Sequence, residues 1–113
     1  LTRHLPGGPV FKQPTVRRKS PDQIASMRVA GRVVAEMHEK IRAAIKPGVT
    51  TAKLDEIGRE VIARRGAVSN FLNYHGTYPA VICASPNSMV VHGIPSDDVN
   101  WRRLTDKFFV RMR

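Results

Sequence analysis

Four histidines, one cysteine and nine side-chain carboxylates are the groups of this chain best suited to chemistry, and one of them stands in a pointed context. His92 lies in Val90-Val91-His92-Gly93-Ile94-Pro95, at the end of an apolar run and just before a glycine. A ring placed there can be presented at a pocket rim. Imidazole titrates near neutrality, so it can pass a proton or donate a hydrogen bond to a carbonyl. Spacing alone leaves the plainer alternative standing, a structural histidine with its hydrogen bonds satisfied. His38 falls on an apolar helical stripe and reads as a core-edge residue, and His75, beside Gly76, reads as a loop residue. Asp97 and Asp98 are adjacent, but no histidine follows within helical or hairpin reach. A metal site of His, Asp and Glu needs three or four converging ligands. Spacing assembles none, so no residue is assigned to a metal. Cys83 reads as a small buried hydrophobe rather than a nucleophile. The sequence holds no phosphate-cradling glycine loop, no CxxC pair and no GxSxG elbow.

The elements that must position these groups follow from periodicity. Ser20 can cap a helix, Pro21 suits its first position, and Gln23 completes a capping box. The stripe Ile24, Met27, Gly31, Val34, His38, Ile41, Ile45 steps by three and four, which predicts a helix over 22–46. Gly31 in its interior is expected to admit a close neighbour. Pro47-Gly48 ends the helix, and Thr50 or Thr51 caps a second over 52–65, with Leu54, Ile57, Val61 and Ile62 on its apolar face. Gly66 follows Arg64 and Arg65 as a natural stop. Residues 81–84 and 89–92 are short apolar runs around the turn Ser85-Pro86-Asn87-Ser88, which predicts a β-hairpin. The fold class expected is therefore α/β (α+β), two helices packed on a small, mainly antiparallel sheet formed by residues near 68–92.

The net charge of +10 is carried by the ends. Residues 1–21 have five Lys/Arg and no acid; residues 99–113 have five Lys/Arg and one acid; the middle is nearly neutral. Three regions follow: a basic, Pro/Gly-rich arm over 1–19, a globular body over 20–99, and a divergent basic tail over 100–113. Both ends are expected to be poorly ordered, because they offer little apolar area against the entropy of ordering. A lone cysteine allows no internal disulfide and points to a reducing, cytoplasmic compartment. No apolar run has the length of a membrane span, and the first residues lack the apolar core of a secretory signal. Leu1 in place of methionine marks a fragment or an unusual start.

Taken in order, the motifs resemble the type I methionine aminopeptidases of bacteria, in their N-terminal half. Met27-Arg28-Val29-Ala30-Gly31-Arg32-Val33-Val34 resembles their first helix, and Lys46-Pro47-Gly48-Val49-Thr50-Thr51 with Leu54-Asp55 their turn into the second. Arg65-Gly66-Ala67-Val68, Phe71-Leu72-Asn73-Tyr74-His75-Gly76, Tyr78-Pro79-Ala80-Val81-Ile82-Cys83-Ala84-Ser85 and the His92 segment complete a resemblance over about residues 20–99.

That resemblance implies the pita-bread fold and removal of the initiator methionine from nascent polypeptides by metal-dependent hydrolysis. Two divalent metals (Co, Mn, Fe or Zn) serve that family. His92 matches the histidine that contacts substrate near the scissile bond and aids proton handling. Tyr74, Tyr78 and Cys83 match positions lining the methionine side-chain pocket, and Phe71 another wall position. The partners implied are the N-terminal methionine of new chains and proximity to the ribosome, for a monomer with no membrane and no specific DNA. Thr77 reads as an extra residue between Gly76 and Tyr78, and Pro86 and Ser88 replace more usual residues around Asn87. Beyond the His92 segment the family continues to its metal-binding Asp, His and Glu residues. Here Thr105-Asp106 echoes a Gly-Asp pair only faintly, and Val110 or Arg111 falls where the first ligand belongs. The ligands are absent from this chain, so it is expected to be truncated or frameshifted, and inactive alone. The alternative from another class is a non-catalytic module of the same fold whose basic ends dock ribosomal RNA or another polyanion, which salt would weaken steeply.

Overall fold

The computed structural model describes residues 16–98 and the backbone of residues 108–111. Helix α1 spans Pro21–Ala44. Its start follows the expected chemistry: Gln23 N–H donates to Ser20 Oγ at 3.2 Å, and Ser20 N–H donates to Gln23 Oε1 at 2.9 Å. Helix α2 spans Thr51–Arg64 and is capped by Thr50, whose Oγ1 accepts from Lys53 N–H at 3.1 Å. Beyond its end Gly66 is left-handed (φ +61°), and Ala67 N–H returns to Ile62 O at 3.0 Å.

The two helices pack on each other and on residues 81–82. Met37, Ile41, Leu54, Val61, Val81 and Ile82 form the buried cluster, with Val33, Ala44, Ile45, Val49, Ile57 and Ile62 against it. Each fully buried side chain of this size is worth about 1.5–3 kcal/mol. Glu36, inside α1, accepts hydrogen bonds from Arg64 and from Arg65 (2.6 Å), which ties the end of α2 to α1. The Arg65 hydrogen bond, together with the charges of both guanidinium groups, holds the Glu36 carboxyl below its usual range.

Three expectations for α1 are corrected. Its buried face is Val33, Met37, Ile41 and Ala44, while Ile24 and Met27 at the front of the stripe are exposed (42% and 58%). Only the second half of α1 meets α2, and half a helix needs only half a stripe. His38 is accordingly exposed rather than at the core edge. Gly31 admits no neighbour within 4 Å; the close approach is made by Gly58 on α2 instead. A Cβ there would stand 3.1 Å from Met37 Cε and 3.2 Å from Val81 Cγ2.

The expected hairpin is also corrected. Strand β1, Cys83–Pro86, pairs antiparallel with β2, Phe108–Arg111, setting Cys83 opposite Arg111 and Pro86 opposite Phe108. The sheet is antiparallel as expected, but its second strand comes from the divergent tail. The expectation of disorder over 100–113 therefore fails at 108–111; residues 1–15, 99–107 and 112–113 lie outside the described residues. Residues 89–92 stay a loop for local reasons. Pro86 has no N–H to offer a ladder, Met89 N–H closes a turn onto Pro86 O (3.1 Å), and Asn87 and His92 are both left-handed.

Candidate functional site

The aromatic segment is a closed loop held by its own backbone. Ser69 Oγ accepts from the N–H of Phe71 (3.1 Å) and Leu72 (3.2 Å). Asn73 N–H donates to Tyr78 O at 2.8 Å, which closes the loop, and Gly76 N–H donates to Asn73 O at 2.7 Å. Asn73 and His75 are left-handed (φ 61° and 50°), as is Gly76. Non-glycine residues pay about 1–2 kcal/mol for that conformation, though Asn and His adopt it more readily than most. The additional residue, Thr77, is exposed and taken up in this turn, with its N–H on Tyr74 O at 3.2 Å.

The loop turns Tyr78 inward. Its ring packs on Phe71, centroids 6.1 Å apart at a 48° tilt. Its hydroxyl donates to Ile82 O (2.8 Å), with Cys83 Sγ at 3.2 Å and Gly93 O at 3.5 Å. Burial, then the Cys83 contact, push the phenol well above its ordinary value, so Tyr78 remains a protonated donor. Cys83 itself is buried, as expected. Tyr74 is not part of this cluster: it is 60% exposed and meets the edge of the His75 ring at 4.3 Å. His92 is exposed and left-handed (φ 58°), one residue before the glycine whose carbonyl faces Tyr78. The structure thus gathers Phe71, Tyr78 and Cys83, sets His92 beside them along the chain, and leaves Tyr74 on the outside of the loop.

Three supports of this cluster were not legible as such. Asp55, 6% exposed, accepts from the N–H groups of Val81 (2.7 Å) and Ile82 (3.1 Å) through Oδ1, and from Arg59 Nε (2.7 Å) through Oδ2. Arg59 also donates to Pro79 O at 2.5 Å. Thr51 Oγ1 accepts from Ser96 N–H (2.9 Å) and donates to Ser96 O (3.1 Å). The usable signal was a carboxylate beside Leu54 with an arginine four residues on, the spacing of one helix face.

Residues 25–111 match the model of metallopeptidase family M24. The chain belongs to that family. The match passes residue 99, where the motifs stop, and takes in β2. The chain is 52% identical over 81 residues to methionine aminopeptidase 1 of Mycobacterium tuberculosis, and 49% over 80 residues to the methionine aminopeptidase of Escherichia coli K12. These alignments cover 72% and 70% of this chain. The chain spans about 30% of the length of each of these relatives. Among solved structures, the methionine aminopeptidase of Thermotoga maritima superimposes with a TM-score of 0.80 at 30% identity, over 85% of this chain and 38% of that one. That of Rickettsia prowazekii gives 0.69 at 36% identity, over 74% and 33%. The pita-bread fold expected from the motifs is therefore the fold this M24 chain shares in part.

An M24 metallopeptidase implies divalent metals, and the described side chains do not fit them. Among the described residues no three His, Cys, Asp or Glu converge. Asp55 is committed to two amides and Arg59, and Asp97 lies 3.4 Å from Thr50 Oγ1. What these residues offer is an aromatic pair packed beside a buried thiol, and an exposed imidazole. Nor, among them, is any helix long and apolar enough to cross a membrane.

Proposed function

We propose that this M24 chain carries the methionine-recognition part of a methionine aminopeptidase, the enzyme that removes the N-terminal methionine of new proteins. Phe71, Tyr78 and Cys83 form the wall of the side-chain site, Tyr74 its outer edge, and His92 the group that meets the substrate near the scissile bond and handles its proton. The observation carrying this reading is the packing of Phe71 on the ring of Tyr78, whose hydroxyl meets Cys83 Sγ and the carbonyl of Gly93, the residue after His92. Aromatic faces and a thiol suit a polarizable thioether, and the absence of a carboxylate in the wall favours an uncharged side chain.

The metals of the reaction, two divalent ions among Co, Mn, Fe and Zn, are not held by the described residues, and the 113-residue chain alone is inactive. The working enzyme is cytoplasmic and monomeric, and meets its substrates near the ribosome.

Two measurements test this. L-methioninamide titrated into the labelled chain should shift the resonances of Phe71, Tyr78 and His92, and lysinamide should not. Equal shifts from both would refute the recognition role. The purified chain supplied with each metal should release no methionine from a Met-Ala peptide. Metal-dependent release abolished by His92→Ala would show that the chain completes a site of its own.

A further inference from the structure

The Gly93 backbone is gripped from two sides. Its N–H donates to Ser85 Oγ at 3.0 Å, and its carbonyl accepts from Ala84 N–H at 2.9 Å. Both residues are buried, Ser85 being 7% exposed. The fit leaves no room for a side chain: a Cβ on Gly93 would fall 2.0 Å from Ala84 O and 2.9 Å from Met89 Sδ. The Gly93 N–H belongs to the peptide plane that joins it to His92. Rotation of that plane is the ψ of His92, so a fixed N–H direction restrains that ψ directly, and φ through the few φ, ψ pairs open to a residue with a Cβ. His92 is exposed and left-handed, a conformation uncommon for a residue with a Cβ, though His adopts it more readily than most. Among the described residues no hydrogen bond of the His92 ring holds it there, whereas the amide of the next residue is held by Ser85.

We propose that Ser85 is a positioning residue for His92: its hydroxyl, acting through the Gly93 amide, holds His92 in the left-handed conformation that presents the imidazole at the rim of the Phe71–Tyr78–Cys83 wall. This rests on the reading of His92 as the substrate-contacting group. Ser85 touches no substrate, and its effect is on where the ring stands.

The test uses the labelled 113-residue chain. A strong intraresidue amide-to-Hα NOE marks positive φ. It should be present at His92 in the parent chain, lost in Ser85→Ala, and retained in Ser85→Thr, which keeps the hydroxyl. Side-chain contacts between Met37, Leu54 and Ile82 report the core, and they should persist in both variants, so that a merely structural role is separated from positioning. A His92 NOE unchanged in Ser85→Ala overturns the proposal. Should Ser85→Ala fail to fold, amide exchange in the parent chain decides: Gly93 N–H should exchange far more slowly than the exposed Val90 N–H, and equal rates overturn the proposal. If the NOE behaves as expected but L-methioninamide leaves the His92 ring unmoved in the parent chain, the positioning stands and the substrate role of His92 falls.

Discussion

Asp55→Ala is the substitution that probes most of this structure at once. The carboxylate is buried and serves two buried amides, those of Val81 and Ile82, through a single oxygen. Alanine leaves both N–H groups without an acceptor in the core. An unsatisfied buried donor costs about 1–3 kcal/mol, so the pair costs about 2–6. The Arg59 side chain is 42% exposed and returns to water, adding at most about 1 kcal/mol. A domain of this size has about 5–15 kcal/mol in total, and about 4–8 °C of melting temperature goes with each kcal/mol. Asp55→Ala should therefore lower the thermal midpoint by roughly 10–50 °C. Asp55→Asn keeps an oxygen for the two amides but replaces Oδ2 with an NH2 that cannot accept from Arg59 Nε–H, so the ion pair and its hydrogen bond are lost; Arg59 is 42% exposed and can return to water, so the cost should be about 1 kcal/mol. Urea and thermal melts followed by circular dichroism measure both. An alanine variant within about 0.5 kcal/mol of the parent, or an asparagine variant as damaged as the alanine one, would refute the claim that the amides rather than the ion pair set the cost.

Gly58→Val should destabilise by about 1–3 kcal/mol through overpacking against Met37, Val81 and Ile82. Gly58→Ala should be nearly neutral, because about 1 kcal/mol of helix propensity offsets the tight contact; equal costs in urea melts would argue against the crowding. Ser20→Ala removes the side-chain half of the capping box, the acceptor for Gln23 N–H, at a cost of about 1 kcal/mol, and leaves the backbone N–H of residue 20 on Gln23 Oε1. The first turn is exposed, so the loss should show in amide exchange of residues 22–24 and not in the global midpoint. The Tyr78 phenol titrates higher in the folded chain than in the unfolded one. Its contribution is thus complete below about pH 10, the unfolded value, and fades as pH rises beyond it, since the unfolded chain sheds the proton first. Urea midpoints of Tyr78→Phe should fall less steeply above pH 10 than those of the parent; parallel decline would contradict that sign.

The helices were legible because their signals are local. Ser20, Pro21 and Gln23 announce the start of α1, and Leu54, Ile57 and Val61 declare the face of α2 without reference to anything distant. The front of the α1 stripe misled because periodicity shows which residues share a face and not whether a neighbour reaches them. The hairpin over 81–92 misled for a related reason. Two apolar runs around a turn fit a hairpin, but Pro86 lacks an N–H and His92 turns left-handed, so the run after the turn cannot extend beside the first. The strand that does pair, β2, lies more than twenty residues downstream in a segment whose composition reads as a tail. Within the candidate site, His92, Phe71, Tyr78 and Cys83 were legible from motif order. Ser85, Asp55 and Thr51 were not, because a polar side chain that will be buried against backbone looks the same in sequence as one facing water.

Those hidden polar residues share a geometry. Thr51, Asp55 and Arg59 follow one another at four-residue steps along α2, so they stand on one face beside the apolar face of Leu54 and Val61. At 1.5 Å per residue the row spans about 12 Å. One end holds Ser96, the middle holds Val81 and Ile82, and the far end holds Pro79. The segment from 79 to 96, which carries Cys83 and His92, is therefore measured off against a single helix. Apolar burial cannot order its second half, since Val90 and Val91 are 88% and 55% exposed. Ordering each residue costs about 1–2 kcal/mol of backbone entropy. The hydrogen bonds at Ser96 and at Gly93 offset part of that cost. The backbone that carries His92 is thus tied to α2 through Thr51–Ser96 and Asp55, and to Ser85 through the Gly93 amide, rather than to the packing of Phe71 on Tyr78.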